Sequence, residues 1–177
     1  ETGMHVIRIS HYSRILARAI GYSETDAQEL FYAAPMHDVG KIGIPDHILL
    51  KPGKLDEQEW EVMRQHTSIG AQIIGEHSSS LLQLAAELAL CHHEKWDGSG
   101  YPNGLKGEEI PMGARIIAVV DVFDALSSER PYKKPWPLEQ TLDFIKSNSG
   151  SHFQPELVEA FLANIEQILK VQQQFAD

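Results

Sequence analysis

The adjacent residues His37 and Asp38 combine two side-chain types that bind one divalent cation together, imidazole through a ring nitrogen and carboxylate through oxygen. Taken alone, the pair is common and means little, its plain reading being a helix end with a capping Asp. Asp121 adds a second acidic group. It follows the run Ile116-Ile117-Ala118-Val119-Val120 and precedes Val122-Phe123, so its carboxylate is expected to be buried. A buried charge needs a cation, a hydrogen-bond network or a raised pKa. A metal would meet that need, and so would an ion pair with Arg115. His92 and His93 point about 100° apart on a helix, so one or both can face a site. His5 lies four residues after Glu1, which puts the two on one helical face. His66 is either a ligand or a satisfied core histidine. Together these residues give every expected helix before residue 130 at least one ligand type, and bundles build metal sites from facing helices in this way.

Basic residues fall beside the same positions. Lys41 follows the His-Asp pair within a turn, Arg8 follows His5 by three, and Arg130 and Lys133 come just past Asp121. Such cations suit a phosphate group held jointly with metals.

The elements that must position these groups read as helices. Val6, Ile9, Ser13, Leu16 and Ile20 mark an amphipathic helix that Gly21 ends. Ser23 and Asp26 open a second helix to about His37, with a kink expected at Pro35. Gly40 to Gly53 is expected as a loop. Asp56 and Glu59 open a third helix to about Glu76, and Ser79 or Ser80 opens a fourth ending near Trp96. Asp97 to Pro111 is a second loop. A fifth helix spans about Met112 to Ser127, and Pro137 and Pro155 each start a later one. The β-branched run around Val119 has no second run to pair with, which favours helix over strand. The expected architecture is an all-α bundle of about seven helices with the metal centre in its core.

Bulk composition bounds the rest. A chain of 177 residues, 42% hydrophobic, has the size of one domain with one core. Its one cysteine, Cys91, rules out an internal disulfide and fits a reducing compartment. The net charge of −10, with no basic stripe, argues against a groove for long nucleic acid. The apolar run from Ile116 to Val120 is too short to span a bilayer.

The motifs also carry a resemblance. His37-Asp38-Val39-Gly40-Lys41-Ile42-Gly43-Ile44-Pro45 resembles the signature of HD-GYP domains. His92-His93-Glu94-Lys95-Trp96-Asp97-Gly98-Ser99-Gly100-Tyr101-Pro102 is similar to their second signature. The segments from Ile48 to Leu55 and from Asp124 to Lys133 also match, and the likeness runs from Glu1 to about Leu162. The resemblance implies an HD-superfamily fold, and a phosphodiesterase that cuts cyclic di-GMP to pGpG or GMP with a metal-activated water. Its rivals are a phosphohydrolase for another cyclic dinucleotide or nucleotide, and a non-catalytic module that binds cyclic di-GMP or a GGDEF domain. It implies two or three divalent transition-metal ions, with Fe, Mn or Ni foremost. The implied ligands are His5, His37, Asp38, His66, His92, His93 and Asp121, with Glu1 added in three-metal members. Catalytic roles fall to His37, Asp38 and Lys41, and phosphate contacts to Lys41, Arg8, Arg130 and Lys133. Gly100, Tyr101 and Pro102 are implied at the substrate mouth and in contacts with GGDEF-type cyclases. The expected setting is bacterial and cytoplasmic, residues 1–177 being one domain cut from a longer chain behind a sensory or receiver domain, which a membrane tether or homodimer formation would suit. One departure is Gln154, which stands in His152-Phe153-Gln154-Pro155 where the family has Asp.

Overall fold

Side-chain caps fix four of the ten α-helix starts in the computed structural model, which describes residues 2–177. Helix α1 (Gly3–Ala19) begins where the Thr2 hydroxyl accepts from the His5 backbone N–H, and α2 (Glu24–Ala33) begins at the Ser23 hydroxyl, which accepts from Asp26 N–H. Pro35 then tightens the chain into a 3-10 turn, Ala34–Met36, so α2 ends four residues before His37 rather than reaching it. The expected loop 40–53 contains more structure than its composition implied: a second 3-10 turn, Val39–Gly43, and a one-turn helix α3 (Asp46–Leu49).

The third helix expected from the sequence is two. A reciprocal Asp56–Glu59 capping box opens α4 (Glu57–Arg64), and α5 (His66–Ile74) follows after Gln65 alone. The break has a side-chain cause: His66 Nδ1 pairs with Met63 O at 2.7 Å and the Thr67 hydroxyl donates to Arg64 O at 3.0 Å, competing for the last carbonyls of α4. Helix α6 (Ser80–Cys91) is shorter than expected for the same reason, because His92 Nδ1 turns back onto Leu88 O. Helix α7 (Met112–Ser127) has the expected bounds. Pro137 caps α8 (Leu138–Ser147), Pro155 is the first residue of α9 (Pro155–Ala163), and a further helix α10 (Ile165–Gln174) closes the described chain.

The all-helical expectation therefore holds. The count rises from about seven to ten among the described residues through α3, the α4/α5 break and α10. No strand forms among those residues, only isolated bridges at Arg130–Lys133 and Ser149–Phe153. No described helix is long and apolar enough to cross a membrane.

Helices α1 and α7 form the centre. Ile9, Tyr12 and Leu16 of α1 meet Ile116, Val120 and Phe123 of α7, all fully buried. The Tyr12, Phe123 and Phe161 rings meet edge-on at 5.6 and 5.1 Å. A buried side chain of this size contributes roughly 1.5–3 kcal/mol, so the helix pair that carries His5 and Asp121 is anchored several times over.

Candidate metal centre

Five stretches of chain bring seven ligands together. His5 comes from the first turn of α1, His37 and Asp38 from the turn after α2, His66 from the start of α5, His92 and His93 from the end of α6, and Asp121 from the middle of α7. They form two groups of four. Asp38, His66, His92 and His93 make one, and His5, His37, Asp38 and Asp121 the other; in each group the ligand atoms lie within 4.8 Å of one another. Asp38 belongs to both. Its Oδ1 faces His66 Nε2 at 3.4 Å and His92 Nε2 at 3.2 Å, while its Oδ2 faces His37 Nε2 at 3.2 Å. One carboxylate thus turns an oxygen to each half.

The imidazoles are pre-oriented. Nδ1 of His37 pairs with Ala34 O at 2.7 Å, that of His66 with Met63 O at 2.7 Å and that of His92 with Leu88 O at 2.9 Å. Each Nδ1 is therefore a donor to a carbonyl, which fixes the ring and aims its Nε2 at the centre. The Nε2 atoms of His37, His66 and His92, with Asp38 Oδ1, are buried and have no hydrogen-bond partner among the described residues. An unsatisfied buried polar atom costs about 1–3 kcal/mol, and four converging on one point make a poor core but a good cation site. The donor set, imidazole nitrogen with carboxylate oxygen, can hold divalent transition metals.

Charge states agree with ligation. Burial pushes the Asp38 and Asp121 carboxyls up, but the adjacent His37 imidazole outweighs it and both lie below the usual carboxylate range. Burial, then the neighbouring His92 and His66, pushes His93 down to about 2, so its ring is neutral. Burial also pulls His37 down, and Asp38 and Asp121 more than reverse that. A divalent cation supplies the same positive charge without the proton.

Backbone approach matters at two glycines. A Cβ on Gly40 would stand 1.8 Å from His66 O, and one on Gly100 would stand 2.4 Å from His93 O. Only glycine lets the His37-Asp38 turn press against α5, and the Tyr101 loop against the His93 segment.

The sequence reading missed two groups. Asp124 is buried, receives His5 Nδ1 at 2.7 Å and Arg8 Nε at 2.7 Å, and so orients His5. Its signal was available, since it falls three residues after Asp121 and shares its helical face. Glu94 is also buried; its carboxylate accepts from the backbone N–H of Asn103 at 2.7 Å and of Leu105 at 2.9 Å, pinning the Tyr101 loop.

Other expectations are corrected or refined. Arg8 does not stand open to a phosphate: its guanidinium is buried against Asp124, Phe175 O and Asp177. Arg115 does not neutralise Asp121, because it donates to Ile110 O and Gln154 Oε1. Gln154 makes no helix cap at the start of α9 and serves instead as that acceptor, away from the metal ligands. Lys41 Nζ reaches Asp38 Oδ2 at 3.1 Å and stays partly exposed. Arg130 is exposed and lines a cavity of about 270 Å³ with His5, Arg8, Asp124 and Asp177. Lys133 Nζ sits 5.3 Å over the Trp136 ring. Tyr101 stacks on the His93 ring at 4.9 Å and 15°. Glu1 lies outside the described residues.

A helical bundle that aims two linked His/Asp groups into its core defines a metal-site protein of the HD type. A family profile described as "HD domain" matches residues 2–157. A Thermotoga maritima protein named cyclic di-GMP phosphodiesterase is 55% identical over 92% of this chain and 44% of its own length. A Vibrio cholerae protein named 3'3'-cGAMP-specific phosphodiesterase 2 is 47% identical over 100% of this chain and 34% of its own. The chain thus spans less than half the length of these curated relatives. Among solved structures, a Bdellovibrio bacteriovorus protein described as an HDG"Y"P protein superposes with a TM-score of 0.70 at 19% identity, over 94% of this chain and 51% of that one, a likeness of fold. The chain belongs to the HD domain family, in its HD-GYP group.

Proposed function

We propose that this domain is a metal-dependent phosphodiesterase that hydrolyses cyclic di-GMP to pGpG, to GMP, or to both. The observation that carries the reading is Asp38, shared by two ligand groups, with the buried Nε2 atoms of His37, His66 and His92 turned toward it and without a hydrogen-bond partner among the described residues. When bound, two ions would supply an activated water and Lewis-acid stabilisation of the phosphoryl group. Fe, Mn and Ni are the proposed metals, and Glu1 is the proposed further ligand of a third ion. His5, His37, Asp38 and Asp121 would hold one ion and Asp38, His66, His92 and His93 the other.

The chain's own part is positioning. Lys41 is close enough to Asp38 for its ammonium to donate to a phosphoryl oxygen at the same centre. Arg130, exposed on the cavity wall beside His5, would hold a phosphate oxygen, and Lys133 would attract the dianionic ligand from the neighbouring turn. Tyr101, with Gly100 and Pro102, walls the His93 side and excludes water there. The same exposed loop is the proposed contact for GGDEF-type cyclase domains, and the parent protein is proposed to be a bacterial cytoplasmic signalling protein.

The identity to a 3'3'-cGAMP-specific relative over the whole chain supports that dinucleotide as a second substrate. Purified protein loaded with Fe, Mn or Ni is expected to convert cyclic di-GMP to pGpG, read by chromatography. A folded protein that takes up metal and leaves both dinucleotides intact would overturn the reading.

A further inference from the structure

We infer that the cleft beyond His93 is a guanine subsite, with Arg64 reading the base edge; this rests on the reading of the substrate as a cyclic dinucleotide. The last turn of α4, the first turns of α5 and the Tyr101-Pro102 segment enclose a cleft of about 240 Å³, lined by Glu61, Arg64, Gln65, Ser68, Tyr101 and Pro102. The cleft adjoins the metal centre through its Tyr101 wall, which stacks on His93. Arg64 lies two residues before the ligand His66, and Tyr101 lies flat on the ligand His93.

Arg64 is poised for recognition. Its guanidinium carbon stands 5.7 Å from the Tyr101 ring centroid, and no carboxylate or carbonyl engages it among the described residues. A guanidinium resting on an aromatic ring is ordered by that ring, while its N–H groups remain directed outward in their own plane. Guanine presents two acceptors, O6 and N7, on one edge, and an Arg fork matches them; adenine puts an amino donor where guanine has O6. Glu61, three residues earlier on the same face of α4, adds an acceptor for guanine's N–H groups.

Position separates this role from phosphate binding. Lys41 contacts the ligand Asp38 directly, whereas Arg64 reaches the ligand His93 only through the Tyr101 ring, which suits Arg64 to a base rather than to the phosphate under attack. The subsite would therefore accept cyclic di-GMP and the guanine half of 3'3'-cGAMP, and discriminate against cyclic di-AMP.

The test uses metal-loaded wild type, Arg64→Lys and Arg64→Ala, with dissociation constants for cyclic di-GMP and cyclic di-AMP, kcat/KM for cyclic di-GMP, and metal content. Both variants are expected to lose roughly 5- to 150-fold in affinity for cyclic di-GMP, with cyclic di-AMP binding and metal content unchanged. Equal weakening of both ligands would make Arg64 a phosphate contact and overturn the inference. So would wild-type behaviour of Arg64→Lys, which keeps the charge and loses the fork, or loss of metal in both variants. If wild type binds cyclic di-GMP without cleaving it, the phosphodiesterase reading fails, and the binding ratios still decide the role of Arg64.

Discussion

On the His5–His37–Asp121 side of the centre, two of the ligands stand on α1 and α7, the helices that form the middle of the core, and the buried Asp124–Arg8 pair backs them. On the His66–His92–His93 side every ligand sits at a helix end, held by turns onto carbonyls and by the close approaches of Gly40 and Gly100. The first side is rigid because core packing sets it. The second depends on backbone detail, and it alone carries the Tyr101 wall and the cleft beyond it. The difference suggests a division of work, with metal retention on the packed side and substrate selection on the side built from loops.

The largest effect should come from the one residue common to both. Asp38→Ala is expected to remove both ions and reduce turnover to background, whereas Asp121→Ala should empty only the packed side. Metal content per chain by elemental analysis distinguishes the two. If Asp38→Ala keeps one full ion, the carboxylate is not shared and the two sides are independent sites. Lys41→Ala is next. It touches no metal in this arrangement, so the ions should remain while kcat falls roughly 100- to 1000-fold, the usual cost of losing one donor to developing charge. Unchanged turnover would remove Lys41 from the site.

The two sides also differ in how far the sequence disclosed them. A carboxylate amid Ile116–Phe123 is a mid-helix anomaly, visible from residue types alone, and α7 has the bounds its pattern predicts. His66 and His92 were harder. Their rings capture carbonyls at helix ends, so they end the very helices whose periodicity was meant to place them. The third expected helix is therefore broken at Gln65, and the fourth ends at Cys91, short of where the periodicity predicts. Arg8 illustrates another limit. Proximity to His5 in sequence suggested a phosphate contact, but Asp124 and Asp177, 116 and 169 residues away along the chain, take up its guanidinium. Pairings of that separation have no periodic signal.

Asp124→Asn addresses the packed side alone. Asparagine keeps the shape and removes the charge that orients His5 Nδ1 and pairs with Arg8. Loss of such a supporting carboxylate typically costs 10- to 100-fold in metal affinity. One ion should therefore dissociate more readily under chelator while the other is held as in wild type. Equal weakening of both would mean that the two sides are not separately supported.

The smallest effect belongs to the loop-built side. Glu94 holds the Tyr101 loop by accepting from Asn103 and Leu105 N–H, and it is buried, so water cannot replace it. In Glu94→Gln one acceptor oxygen remains and the amide nitrogen faces a backbone donor, leaving one N–H unsatisfied at about 1–3 kcal/mol. The metals should stay, because no ligand moves with the loop except through the ring contact of Tyr101 on His93. The expected signature is faster hydrogen exchange at Asn103 and Leu105 and a KM for cyclic di-GMP raised several-fold at nearly constant kcat, since a wall that only positions substrate contributes mainly to binding. Core amides of α7 should exchange as in wild type. If exchange at Asn103 and Leu105 is unchanged, Glu94 does not pin the loop. If metal is lost instead, the loop supports the His93 ligand directly, and the division between retention on one side and selection on the other would have to be redrawn.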